Sequence, residues 1–373
     1  TRSHRVSRIS QHNRSAARKG TGSGEKTRCR LGFGRFVLVL LCVVIPQLSC
    51  GGGDLTSRLT ADGRIHLTVE RELMATLFRI DVIVDDSELG REAIDAAFTE
   101  IEKAEGLLSN WDERSQISEL NHSAGTGPVT VSNELLAVLQ RAFEVAELTN
   151  GAFDISFASC GGLWSIRDRR IPSDEELVSC LAHVDYRKVA LDFERSAVYI
   201  TDPETRLGIA GLAKGYRVDS AAGVLLERGI TDFVVDGGGD MRVSTGSSGP
   251  SWPINVAHPR RDVPLGTLGV ASGAIATSGD YEWYFEAEGV RYHHILDPAT
   301  GQPARRSTSA TVIAPSAVEA DALATGLFVM GPKEGLALAE RLPGVEALLI
   351  APDLTVHTTS GFPPVVVLGA ASS

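Results

Sequence analysis

Residues 77–84 alternate strictly, with Leu77, Arg79, Asp81 and Ile83 on one side and Phe78, Ile80, Val82 and Val84 on the other. A period of two is that of a strand with one face buried, and a second strand is predicted over 65–71. From Glu88 to Leu108 the period lengthens: Ile94, Ala97, Phe98, Ile101, Ala104 and Leu108 mark the apolar stripe of an amphipathic helix. Another helix opens at a Ser132 cap, carries Leu135, Leu136, Leu139, Phe143 and Ala146 on its apolar side, and stops near Asn150-Gly151. Ser173-Asp-Glu-Glu176 reads as a capping box, strands are predicted near 187–191 and 197–201, and a helix over 214–229 is approached through Gly211-Leu-Ala-Lys-Gly215. From 231 to 313 strands separated by Gly/Pro turns predominate; helices at 316–330 and 333–341 and two closing strands follow. Helices interspersed among largely antiparallel strands predict an α+β fold with mixed, largely antiparallel sheets rather than a doubly wound one. The expectation is a single compact unit of two lobes around a cleft.

The first 35 residues hold ten Lys/Arg and one acid, and ten uninterrupted apolar residues follow over 36–45. That order, with Leu48-Ser49-Cys50 behind it, reads as a signal peptide over 1–49; ten apolar residues are about half of a spanning helix. Cysteine at this place resembles a bacterial lipobox, with Cys50 as the lipidated first residue and Gln47 as an irregularity. The expected organisation is then a lipid-anchor cysteine with a flexible tether over 50–63 and a catalytic domain over 64–366. Without the leader, Lys+Arg falls from 36 to 26 and Asp+Glu from 47 to 46, leaving a net charge near −20. So acidic a surface argues against nucleic-acid binding and against an electrostatic hold on anionic lipid. Cys160 and Cys180 are the cysteines left after the leader and anchor, and in an exported chain they can close a disulfide loop of about twenty residues.

Candidate chemistry gathers near the C-terminal end. Asp321 and Thr325 stand four apart on a predicted helix, so a carboxylate and a hydroxyl share one face. Two hard oxygens at that spacing begin a Mg²⁺ site of the kind that keeps waters and accepts substrate phosphates. His293 and His294 stand beside the turn Asp297-Pro-Ala-Thr-Gly301. The Gly-rich approach to Lys214 reads as a phosphate-binding helix start. Neither a P-loop, a dinucleotide-binding glycine fingerprint nor a nucleophile elbow is present.

Taken in order, Met74-Ala-Thr76, Leu108-Ser-Asn-Trp111, Ser115-Gln-Ile-Ser118 with Asn121, Gly151-Ala-Phe-Asp154, Gly211-Leu-Ala-Lys-Gly-Tyr-Arg-Val-Asp219, Asp236-Gly-Gly-Gly-Asp240, Ala276-Thr-Ser-Gly279, His294 with Asp297-Pro298, and Asp321 to Thr325 make the chain resemble an ApbE-type FAD:protein FMN transferase over about 65–360. The resemblance implies an exported, often lipid-anchored enzyme that uses Mg²⁺, takes FAD as substrate, and places FMN on a threonine hydroxyl of a partner protein, releasing AMP. It implies flavin contacts at Met74, Trp111, Ala152, Phe153, Asp154, Ala210, Lys214 and Ile295. Metal ligands would be Asp321, Thr325 and the Ala213 carbonyl, with His294, Asp321 and Lys214 as catalytic candidates and His293 incidental. Trp111 stands where the family commonly has tyrosine and Gly208 where it usually has aspartate, and Ser159 to Trp164 lacks the usual proline. The alternatives are a Mg²⁺-dependent FAD pyrophosphatase and a non-enzymatic exported flavin-binding lipoprotein. The expected partner is a membrane redox-complex subunit with an exposed threonine, met by an inner-membrane-anchored lipoprotein facing the periplasm or cell exterior.

Overall fold

Alternation near the N-terminal end builds an antiparallel meander of β1 (Asp54–Leu59), β2 (Ile65–Leu73) and β3 (Thr76–Val84). The structure, a computed structural model, describes residues 54–73, 76–109, 112–246 and 249–366. Phe78, Ile80, Val82 and Val84 are buried and Leu77 is exposed, as the period of two requires. β1 corrects part of the tether expected over 50–63: a turn over 60–63 leads into β2, and Asp54–Leu59 is an edge strand. Its hold is the backbone ladder to β2 and Leu55 against the core, while Thr56, Ser57, Arg58 and Leu59 face solvent, so hydropathy carries no sign of it.

After β3 come α1 (Ser87–Leu108), α2 (Gln116–His122), β4 (Val129–Thr130), α3 (Asn133–Leu148), a 3₁₀ turn over Ile155–Cys160, and α4 (Asp174–Leu181). Ser132 caps α3 by accepting the Leu135 N–H, and Ser173 with Glu176 closes the expected capping box on α4. Cys160 and Cys180 are joined, tying the 3₁₀ turn to α4. β5 (Val189–Asp192) and β6 (Ala197–Ile200) make a small sheet with β4 and lead to α5 (Ala210–Glu227). α5 starts four residues before the expected helix, so Gly211 to Gly215 is its first turn rather than a loop leading to it. Ile209 gives no side-chain cap, and its carbonyl already takes the N–H groups of Leu212 and Ala213.

β7 (Asp232–Gly237), β8 (Met241–Thr245), β9 (Trp252–Ala257), β10 (Pro264–Val270), β11 (Ser272–Gly279), β12 (Tyr284–Ala287), β13 (Val290–His293) and β14 (Ser309–Ala314) follow, then α6 (Ala317–Met330), α7 (Pro332–Ala339), β15 (Glu346–Ile350) and β16 (Val356–Thr358). Nine strands form one sheet in the order β1-β2-β3-β7-β8-β11-β14-β15-β16, and every pairing in it is antiparallel. The large apolar core lies under α1, α5, α6 and α7 on one face; Val234, Ile275 and Ile313 point to the other, where the β9–β10 hairpin covers a second cluster. Among the described residues no helix is long and apolar enough to cross a membrane; the apolar run at 36–45 and Cys50 lie outside them.

Candidate active site

α5 and α6 meet through Gly215. A methyl group there would stand 2.2 Å from the Ala317 carbonyl oxygen, so only glycine permits the approach. Asp219, one turn further along α5, accepts the Ala317 and Val318 N–H groups at 2.9 Å each and so caps α6 from outside. This crossing delivers Asp321, from the first turns of α6, to the first turns of α5, where its Oδ2 accepts the Gly215 N–H at 3.0 Å. In a regular helix that N–H closes on the Gly211 carbonyl. Asp321 therefore competes with the Gly211 carbonyl for this donor, and Ala213 lies buried in the same first turns of α5.

Lys214 reaches the opposite way. Its Nζ lies 2.7 Å from Oδ2 of Asp240, which sits at the end of the turn after β7 and is 1% exposed. Gly238 and Gly239 give that turn its left-handed backbone, with φ of 72° and 100°. Two buried carboxylates thus act on one ammonium, Asp240 by contact and Asp321 through its charge. Burial, then repulsion by Asp240, push the Asp321 carboxyl up to about 7 against the pull of Lys214 and the Gly215 N–H. Burial likewise raises Asp240 against Lys214. Burial works against the Lys214 charge, but Asp240 and Asp321 outweigh it and hold the ammonium above its ordinary range. The excess negative charge is what a divalent cation relieves.

Thr325, one turn beyond Asp321, is half-buried between buried neighbours, and its hydroxyl lies 3.1 Å from that of Ser278 on β11. Among the described residues no three His, Cys, Asp or Glu side chains stand together as a metal cluster. A cation held here draws on one carboxylate, a hydroxyl, a backbone carbonyl, waters and substrate oxygens, a donor set that suits Mg²⁺.

The two histidines take different roles. His293 is buried, bonds the Ala304 carbonyl at 2.8 Å and meets Phe328 edge-on; burial lowers its pKa to about 4. His294 is exposed; its backbone N–H donates to the Trp283 carbonyl at 3.1 Å, and its ring Nδ1 lies 3.4 Å from the same oxygen. Desolvation, with the positive charge of Lys214 added, outweighs that carbonyl and lowers the pKa of the ring. Ile295 turns to the buried side.

Phe153 is buried, its ring 3.1 Å from the place of a Gly211 Cβ. Its neighbours Ala152 and Asp154 line a cavity of about 440 Å³ together with Tyr186, Arg187, Asp297 and Arg306; Lys214, Asp321 and Thr325 do not line it. The Asp154 carboxylate, expected as a cofactor anchor, is engaged locally: Oδ1 accepts from the Ser156 N–H and hydroxyl at 2.8 and 2.6 Å, and Oδ2 from the Tyr186 N–H at 3.0 Å. Ala210 is exposed as the first residue of α5. Met74 and Trp111 lie outside the described residues. Asp240 and Ser278 had no role from the sequence; the one signal for Asp240 is an acid closing a glycine turn after an apolar strand.

The family model described as the ApbE family matches residues 74–349. A FAD:protein FMN transferase of Treponema pallidum is 33% identical over 87% of this chain and 92% of its own length, and one of Vibrio cholerae is 33% identical over 81% and 92%. Among solved structures, an ApbE protein of Thermotoga maritima superposes with a TM-score of 0.72 at 33% identity, covering 79% of this chain and 97% of that one. The flavin transferase ApbE of Vibrio cholerae gives 0.70 at 31% identity, covering 82% and 99%.

Proposed function

Because this chain belongs to the ApbE family, we propose that it transfers the FMN moiety of FAD to a threonine hydroxyl of a partner protein. The threonine oxygen bonds to the FMN phosphorus, the pyrophosphate P–O bond breaks, and AMP leaves. The observation that carries this reading is the pair of buried carboxylates about Lys214 where α5 crosses α6. Asp321, Thr325 and the carbonyl of Ala213 in the first turn of α5 would hold Mg²⁺. When bound, that ion supplies Lewis acidity and charge neutralisation at the pyrophosphate. Lys214, kept charged by Asp240, faces the developing charge on the phosphates. His294, solvent-facing, takes the threonine proton; Asp321 suits that role less, being buried and engaged with Gly215.

Asp321→Ala should abolish Mg²⁺-dependent transfer with the protein still folded, and full activity in that variant removes the proposed metal site. Running the wild type with FAD and Mg²⁺ with and without an acceptor separates transfer from hydrolysis: FMN accumulating in solution equally in both is the pyrophosphatase.

For location, the proposal is an inner-membrane lipoprotein anchored through Cys50 and facing the periplasm or cell exterior, meeting a membrane redox-complex subunit. Its support is the basic, then apolar, then cysteine order of the first 50 residues. Cys50→Ser should shift the protein from membrane to soluble fractions; retention at the membrane would mean that the apolar run itself stays attached.

A further inference from the structure

β12 and β13 form a two-stranded ribbon separate from the main sheet. Aromatic packing and ion pairs pin it. Phe285 and Tyr292 stack at 5.2 Å, Tyr292 lies 5.9 Å from Trp164, and the Arg291 guanidinium sits 3.9 Å over Tyr284. At its base Asp280 accepts both arms of Arg260 at 2.6 and 2.7 Å. Tyr284 pairs with His293, so the next rung sets Trp283 opposite His294, and the His294 N–H to the Trp283 carbonyl marks that rung. Residues opposite one another on an antiparallel ladder project to the same side. Trp283 is 66% exposed, and its ring joins none of the stacked pairs that hold the ribbon. A large indole held open on a pinned ribbon, side by side with an exposed histidine, suits capture of an incoming chain better than internal packing.

We propose that Trp283 is the docking residue for the acceptor polypeptide and receives an apolar side chain two positions from the threonine that is modified. The inference rests on the transferase reading and specifies its second substrate. Opposed residues on a ladder have Cβ atoms about 5 Å apart. In an extended segment, side chains at i and i+2 lie on one face about 6.7 Å apart. A threonine hydroxyl at His294 therefore brings the residue two places away over the indole. The flavin half of FAD is assigned elsewhere: the resemblance puts a flavin contact at Ile295, which is buried, whereas Trp283 is open to solvent.

The test compares wild type, Trp283→Ala and Trp283→Phe with FAD, Mg²⁺ and two extended threonine peptides, one with leucine and one with serine two positions from the threonine. In the wild type the leucine peptide should have the lower KM. Trp283→Ala should raise KM for the leucine peptide about tenfold and erase the preference, while KM for FAD stays within twofold; Trp283→Phe should keep most of the preference. An unchanged peptide KM in Trp283→Ala overturns the proposal, and so does a rise in the KM for FAD, which would place the indole on the flavin or adenine. If wild type modifies neither peptide and releases FMN equally without them, the transferase reading itself fails and takes this one with it.

Discussion

A glycine decides whether the two functional helices can touch. The Gly215 Cα lies against backbone, with the Ala317 carbonyl oxygen 2.2 Å and the Val318 Cα 2.8 Å from where a side chain would begin, so no rotamer change can make room. Gly215→Ala should force α5 and α6 apart and cost on the order of 3 kcal/mol, read as a fall in the urea midpoint with little change in slope. A loss under 0.5 kcal/mol would show that the helices are not in the contact described. The same position illustrates how much of the site the residues reveal on their own. Asp321 and Thr325 were legible because the helical period alone puts them together. Asp240 was not, since its partner Lys214 comes from another element and a pairing across a fold leaves no period in the sequence. Asp154 has a second use that the motif does not show: its carboxylate caps the N–H groups of the 3₁₀ turn that follows it.

Elements were readable in proportion to how one-sided their burial is. α1 and α3 present one apolar face and, for α3, a serine cap, and the structure places them where the pattern does. β7, β11 and β14 do not alternate cleanly because both their faces are covered: Val235, Ala276 and Val312 enter the main core, while Val234, Ile275 and Ile313 pack under the β9–β10 hairpin. β1 is the other extreme, an edge held by backbone bonds with one described side chain reaching the core. The start of α5 escaped notice because Ile209 is no capping residue, so nothing in the chain marks Ala210 as a first turn. The antiparallel α+β class survived these local misses because it depends on the number and order of elements rather than on their ends.

Across the whole molecule, two buried groups pull stability in opposite directions with pH. Asp321 is held above its ordinary pKa, so below about pH 4 it is protonated in both folded and unfolded chains, and its contribution is lost as pH rises toward about 7. His293 is held below its ordinary value, so its contribution is complete above about pH 6.5 and is lost as pH falls toward about 4. Between these limits the slopes oppose. In magnesium-free buffer, the stability of Asp321→Asn minus that of wild type should therefore grow from pH 4 to 7, by at most about 1.4 kcal/mol per unit, and level off above. Urea midpoints across that range measure it, and a difference that does not change with pH removes the buried-carboxylate account.

The strand order also has a bearing on timing. β3 finds its inner neighbour only in β7, so Phe78 waits for Gly237 before its backbone is paired on both sides, and β1 to β3 emerge from the ribosome long before that. During synthesis the leading meander can take α1 onto its apolar face, yet its β3 side stays an unpaired edge. That edge is closed only when β7 has been made, more than 140 residues after β3 ends, so the middle of the finished sheet is, for that long, a place where a foreign strand could still add.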